Sequence, residues 1–509
     1  MHKINLLLIL GVVSGLTFAA DDITVVALND FHGQMVANKS MVGAGKISTF
    51  LQNFRKQYPN TVVVLAGDNY QGTAISNISL GQVDNEFFNY IGVKYSALGN
   101  HDFDYGQAVF ESWAQTNQFP FLAANVINAS DGSIFKYAEP YGELALPSGK
   151  KIAFIGLATL ETPATTGISN IEGLKFTNPV SSANQWVKFL NSAVNKQGKP
   201  DSIILLTHIP SEQKSSGEIS YEQNSQLKNS EIGALTHDVN GISAVISAHS
   251  HQNVSGFLNN VAVVQGASQG KDVSVLHYDC HTTKVCQVTP EVINLESATK
   301  GMVADPQVEK IITKYYDKNK AVLNQKITIS PQELNNMPES NGLYNIKLTY
   351  TIADIMRKYT DSEIGMQNTY GIRRSLPVGQ IDYSMIYEAM PFDNTVTMLK
   401  IQGKYLLKLL EHSLPPHKTQ FAVFAGVTLQ LDSNGKIIKA LVNGKELNPK
   451  REYTLATINF ISSGGDGFDF SHATDLKDTN IPIREVVRTQ WEKQGIEVPA
   501  DWQSITVIK

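Results

Sequence analysis

From Asp21 to about Leu295 the chain alternates short, β-branched apolar runs with longer segments of mixed polarity, the one-dimensional signature of an α/β architecture. Five runs stand out, at Ile23–Leu28 and at residues 61–66, 95–98, 202–206 and 244–247. They are mostly continuous rather than alternating, which predicts strands buried on both faces. Each gives way at once to polar residues. Between residues 304 and 325, Val308, Ile311, Ile312, Tyr315, Val322 and Leu323 recur at near-helical spacing among lysines and predict a helix joining two domains. A second α/β region follows to Lys509, with strands expected at Val427–Leu431 and residues 453–458 and a helix at residues 405–411. The expected organisation is therefore an export segment at residues 1–20, a first domain at 21–300, a helical linker at 301–328 and a second domain at 329–509, with neither repeats nor low-complexity tracts.

Composition narrows the class. A chain of 509 residues with 42% hydrophobic residues, 21 Phe and 19 Tyr can fill full-sized cores, which excludes disordered and fibrous classes. Its 42 Lys plus Arg against 47 Asp plus Glu give a net charge of -5, and no basic run marks a groove for a nucleic acid polymer. Lys3 precedes an apolar stretch at residues 4–16, and Ala19-Ala20 stand before Asp21-Asp22, the pattern of a cleaved signal peptide. The stretch is well short of the ~20 residues needed to span a bilayer, and residues 485–509 are polar. A soluble monomer, periplasmic or secreted and without a membrane span after cleavage, is expected. The two cysteines, Cys280 and Cys286, flank a short turn after the strand-like stretch at 273–278; export favours a disulfide over two free thiols.

The polar residues that end the five runs are of one chemical kind. Asp30-Phe31-His32 closes the first, Gly67-Asp68 the second, Gly99-Asn100-His101-Asp102-Phe103-Asp104 the third, Thr207-His208 the fourth and Ala248-His249-Ser250-His251 the fifth. Ligands of open α/β sheets collect at the carboxyl ends of strands, so the five tips are expected to converge. Asp30, His32, Asp68, Asn100, His208, His249 and His251 offer oxygen and imidazole donors and no thiolate, a set suited to zinc, manganese or iron. The set exceeds what one ion takes. With Asp68 bridging, it serves two divalent cations about 3.5–4 Å apart that share a hydroxide, the nucleophile for in-line attack on a phosphate. His101, beside Asn100, is placed to stabilise charge on the phosphoryl group or leaving oxygen, with Asp104 three residues on to hold its ring. A lone histidine after a strand is ordinarily a satisfied surface or core residue, and Asp104 alone would be a cap; five tips with one chemistry are not accounted for that way. His237, His277 and His281 lack such placement.

Taken in order, Asp-x-His, Gly-Asp-Asn, Gly-Asn-His-Asp-Phe-Asp, Thr-His and His-Ser-His resemble the calcineurin-like metallophosphoesterase family, and Gly464-Gly465-Asp466-Gly467-Phe468 narrows the resemblance to its 5′-nucleotidase and UDP-sugar hydrolase group. The resemblance implies an α/β fold with a four-layer metallophosphoesterase domain and a second α/β nucleotide-binding domain joined by a helix. It implies one cation on Asp30, His32, Asp68 and His251, another on Asp68, Asn100, His208 and His249, and His101 with Asp104 as the catalytic dyad. In the second domain Asn368 and Arg373 match residues that approach the nucleotide, Phe421 and Phe460 the pair that sandwiches the base, and Asp466 the ribose-binding aspartate. There are three departures, the first two bearing on substrate choice and the third on metal preference. Met337-Pro338 precede Glu339-Ser340-Asn341 where relatives often carry an arginine, Tyr370 interrupts a glycine run, and His251 stands where many members have glutamine. The expected activity is hydrolysis of nucleoside 5′-monophosphates by metal-bound hydroxide. A UDP-sugar or dinucleotide pyrophosphatase, or a 2′,3′-cyclic nucleotide phosphodiesterase, is the alternative on the same site, and an exported binding protein without catalysis the alternative outside the enzyme class.

Overall fold

The computed structural model describes residues 22–38, 40–145, 149–220, 231–280, 286–338, 344–414 and 420–508. The expected signal peptide at residues 1–20, and residues 339–341 and 281, lie outside these.

The first domain is built on two mixed sheets lying face to face. One runs in the order Gln287–Asn294, Asp272–Asp279, Ile23–Leu28, Thr61–Leu65, Val93–Ala97, Phe121–Leu122, Ala138–Glu139. The other runs Val254–Leu258, Val261–Gln265, Ala244–Ile246, Ser202–His208, Lys151–Ala158, Tyr141–Ala145. The central strands are parallel, pairing Thr24 with Thr61 and Ile204 with both Ala244 and Phe154, so their carboxyl ends share one edge of the domain. Val25, Ala27, Val64, Phe154, Leu206 and Ile246 meet between the sheets, each at most 1% exposed. The outer face of the first sheet is covered by helices Gly43–Gln57, Gln82–Tyr90 and Val109–Thr116, and that of the second by Pro179–Leu190 and Glu231–Asp238. With both faces of both sheets covered, four layers result. Every central strand is thus double-buried, which is why its sequence is continuously apolar and why each aliphatic side chain it hides contributes about 1.5–3 kcal/mol.

All five expected runs are strands, the first with the bounds expected and the other four with ends shifted by one or two residues. A sixth central strand, Lys151–Ala158, was not singled out in the sequence although it is equally apolar, and its tip matters below. Cys280 and Cys286, each next to the end of one of two antiparallel strands of the first sheet, are joined by a disulfide.

The helix expected over 304–325 runs Pro306–Leu323, with Asp305 capping the Gln307 amide at 2.9 Å and proline in its first turn. Val308, Ile311 and Ile312 sit in the core of the first domain, whereas Leu323 belongs to that of the second. One helix therefore anchors both. The second domain centres on a five-stranded sheet in the order Ala422–Ala425, Ile364–Asn368, Glu452–Ile458, Thr395–Gln402, Thr474–Pro482. Helices Lys347–Tyr359, Gly403–His412 and Ile483–Gln494 pack on it, and a separate four-stranded sheet contains Val427–Leu431.

Candidate active site

The chain leaves three of the five strand tips in an unusual conformation. Asp30, His32, Asp68, His249 and His251 all lie in the left-handed region, with φ between 48° and 71°. Non-glycine residues hold it only where the surroundings impose it, at about 1–3 kcal/mol each, and such strain gathers at functional sites. Main-chain bonds from Asp30 N to Gly67 O and from His32 N to Asp68 O, both 3.0 Å, lock the first two tips together. The approach is so close that a Cβ at Gly99 would run into Asp68 Oδ1. Asp102, a motif residue with no role assigned from sequence, is the clamp: its carboxylate accepts from the amides of Gly99 at 2.8 Å, Asn69 at 3.0 Å and Asp68 at 3.2 Å.

The donors form two groups. In one, His251 Nε2 lies 3.3 Å from Asp30 Oδ1 and 3.3 Å from His32 Nε2. In the other, His208 Nε2 lies 3.1 Å from Asp68 Oδ2 and 3.2 Å from His249 Nδ1. His208 Nε2 is also 3.9 Å from Asp30 Oδ1, so the groups adjoin. Asn100 Oδ1 is buried and has no hydrogen-bond partner among the described residues, while its Nδ2 donates to Thr165 O at 3.1 Å. An orphaned buried oxygen beside converging imidazoles and carboxylates is what a cation site looks like before the cation is counted. The donor set therefore fits two divalent cations.

Electrostatics agree. Burial alone would raise the Asp30 and Asp68 carboxyls, but His251 with His208 hold the first, and His208 with His101 the second, below the ordinary range. Burial would lower His208, yet Asp68 and Asp30 lift it to about 9. The proton His208 holds there stands where a cation would displace it. Burial, reinforced by the Arg373 charge, holds His32 well below its usual value, leaving a free lone pair.

His101 opens a short 3₁₀ turn, His101–Phe103, donates its amide to Asp68 Oδ1 at 2.8 Å and sets its ring 5.5 Å from that of His32. Its Nδ1 lies 2.8 Å from Asp104 Oδ2, while Asp104 Oδ1 accepts from Thr166 Oγ1 at 2.9 Å. Burial would lower His101; the Asp104 and Asp68 carboxylates outweigh it and raise it above its usual value. Its ring also meets Phe392 of the second domain, centroids 5.1 Å apart.

The second domain closes over this centre. Asn77 Nδ2 donates to Pro391 O at 2.7 Å, and Arg374 of the second domain donates to Gln34 of the first. Between the domains lies a cavity of about 620 Å³ whose walls include Asp68, His101 and His249 on one side and Asn368, Arg373, Phe460 and Asp466 on the other. Asn368 Nδ2 donates to Asp466 Oδ2 at 2.7 Å, and the Arg373 guanidinium feels Asp68 and Asp30 across the gap. Phe421 is not on the cavity wall. Tyr370 is, with its ring 5.8 Å from that of Phe421, so the expected aromatic pair is here fronted by a residue read from sequence only as an interruption of glycines. Glu161, at the tip of the overlooked sixth strand, also reaches the wall, 3.2 Å from His249 Nε2.

Residues 23–253 match the calcineurin-like phosphoesterase family, and residues 329–473 match the 5′-nucleotidase C-terminal domain. Protein UshA of Yersinia enterocolitica is 26% identical over 485 residues, covering 88% of this chain and 86% of the relative. A 5′-nucleotidase of Vibrio cholerae is 24% identical over 486 residues, covering 88% and 85%. Among solved structures, a 5′-nucleotidase precursor from Thermus thermophilus superposes with a TM-score of 0.78 at 22% identity, covering 96% of this chain and 99% of that one.

Proposed function

The chain belongs to the calcineurin-like phosphoesterases that carry a 5′-nucleotidase C-terminal domain, and on that premise we propose that it is an exported, metal-dependent 5′-nucleotidase that converts nucleoside 5′-monophosphates to nucleoside and phosphate. One observation carries the reading: Asp68, Asn100, His249 and His251 of the donor groups border one cavity with Asn368, Arg373, Phe460 and Asp466, the residues expected to meet the nucleotide. When bound, two divalent cations, zinc, manganese or similar, supply Lewis acidity to the phosphoryl oxygens and activate water as the nucleophile.

The chain's own residues do the rest. Asp30, His32, Asp68 and His251 hold one cation and Asp68, Asn100, His208 and His249 the other. Arg373 presents a planar fork to the phosphate, neutralising charge from the side opposite the donors. Asn368 and Asp466, already bonded to each other, present an amide and a carboxylate to the ribose hydroxyls. Phe460 supports the base by stacking, together with Tyr370 backed by Phe421, each contact to the base worth about 1–3 kcal/mol. His101, with Nδ1 fixed by Asp104, keeps Nε2 free to hold a proton toward the phosphoryl group or the departing 5′ oxygen.

Tyr370 on the cavity wall favours a second reading, in which a pyrophosphate-linked substrate such as a UDP-sugar or a dinucleotide uses the same centre. Phosphate release from AMP, and chromatography of the phosphomonoesters formed from UDP-glucose, NAD and 2′,3′-cyclic AMP, by the metal-loaded protein, beside Asp68→Ala, tests both. Release from AMP that vanishes in the variant supports the nucleotidase. Cleavage of UDP-glucose or NAD with silence on AMP replaces it with the second reading, and silence on all four overturns both.

A further inference from the structure

A ligand histidine presents a lone pair to a cation only if its other nitrogen carries the proton, and the partner of that proton fixes the ring. Two of the four ligand histidines use main-chain carbonyls: His32 Nδ1 faces Gln71 O and His208 Nδ1 faces Ala66 O, each at 2.8 Å. His249 is built differently. Its Nδ1 points at His208 Nε2, into the donor group, and its Nε2 points at the Glu161 carboxylate, 3.2 Å away. Both side chains are largely shielded, at 14% and 10% exposure.

Glu161 is held there by construction. Asn125 brackets the end of its strand, donating to Ala158 O and accepting from Ala158 N, both at 2.8 Å. Glu231, buried beneath, accepts from Thr159 Oγ1 at 2.6 Å and Leu160 N at 3.1 Å, and Thr159 Oγ1 in turn accepts from the Glu161 amide at 3.1 Å. Nothing in this network is needed to fold a surface loop; it aims one carboxylate at one imidazole.

We propose that Glu161 is a positioning residue that fixes His249 with its proton on Nε2 and, by its charge, tightens the cation site formed by Asp68, Asn100, His208 and His249 relative to the site formed by Asp30, His32, Asp68 and His251. The proposal rests on the two-cation reading above. It makes the centre asymmetric: the first site has Asp30 in addition to the shared Asp68, and the second acquires a comparable charge only through Glu161.

The test is calorimetric titration of Mn²⁺ into chelator-stripped full-length protein, comparing the parent with Glu161→Gln and Glu161→Ala, alongside KM for AMP at saturating metal. The parent takes up two equivalents. In Glu161→Ala one equivalent weakens by about 10–100-fold with the other unchanged, Glu161→Gln falls between because its amide oxygen still accepts from Nε2, and KM holds. Should the alanine variant not fold, the glutamine variant alone decides. Unchanged titrations overturn the proposal, as does a raised KM with intact Mn²⁺ affinity, which makes Glu161 a substrate contact. A parent that binds no Mn²⁺ removes the two-cation reading and this proposal with it.

Discussion

Replacing Asp104 by asparagine keeps the shape beside His101 and removes its charge. The two side chains meet at 2.8 Å, at 16% and 14% exposure, so the interaction is only weakly screened. A hydrogen bond between charged partners in such a setting contributes about 1.5–3 kcal/mol, which corresponds to a fall in kcat of roughly 10–150-fold if the imidazolium is what the transition state needs. The asparagine oxygen can still accept from Nδ1, so the ring stays in place and the loss reports charge rather than disorder. The sign of the pH effect follows. The Asp104 carboxylate helps to raise His101 above its usual value, so in Asp104→Asn the imidazolium deprotonates at lower pH and the alkaline limb of log kcat moves down. Thr166→Val, which removes only the donor to Asp104 Oδ1, should cost several-fold at most. The assay is phosphate release from saturating AMP across the neutral and alkaline range, with metal content measured on the same samples. A kcat within about threefold of the parent with the alkaline limb unmoved would refute the dyad, and a loss of activity that tracks a loss of metal would reassign the effect to the donor groups.

Three further outcomes are expected. Tyr370→Gly removes the ring that fronts Phe421 on the cavity wall and should raise KM for AMP by roughly 5–100-fold with kcat nearly constant; a lowered KM in steady-state kinetics would mean that the tyrosine screens the site instead. Asp84 is fully buried, accepts from Ser76 Oγ at 2.5 Å and is raised by burial well above its ordinary 3.8. The folded protein keeps that proton where the unfolded chain has released it, so this group makes stability fall as pH rises from about 3.8 toward the raised value, by up to ~1.4 kcal/mol per pH unit. Asp84→Asn should flatten that slope in urea unfolding at stepped pH, and parallel curves would contradict it. Stripping the metals should lower Tm by roughly 5–10 °C, restored by Mn²⁺ or Zn²⁺, because ligands at ~100 times Kd stabilise by about 2.7 kcal/mol per site; a thermal scan insensitive to chelator would refute preformed, occupied sites.

Much of the first domain was legible because double-buried strands cannot hide their composition. Ile23–Leu28 and its neighbours read as strands from apolar continuity alone, and the donors stand next to them in the chain. Strand ends were less legible: Ser202–His208 carries its own donor as its last residue, so polarity understated its length. The division of strands between two sheets was not readable, since every central strand has the same signature. Lys151–Ala158 had that signature too, but its tip ends in Thr159-Leu160-Glu161, outside the motif types, and the pairing of Glu161 with His249 spans 88 residues. Phe392 was not singled out and Tyr370 read as an interruption, because a wall shared by two domains leaves no periodicity in either.

The left-handed backbone at Asp30, His32, Asp68, His249 and His251 also constrains how this protein can change over generations. Glycine is the residue that rests comfortably in that conformation, and glycine has no donor. Asparagine, which tolerates this conformation better than histidine and keeps an oxygen donor, would ease the strain in part, and only glycine both relieves it fully and disarms the site. Lineages that abandon catalysis should therefore gather glycine at these positions and melt at higher temperature without metal, a scar by which a retired copy can be told from a working one.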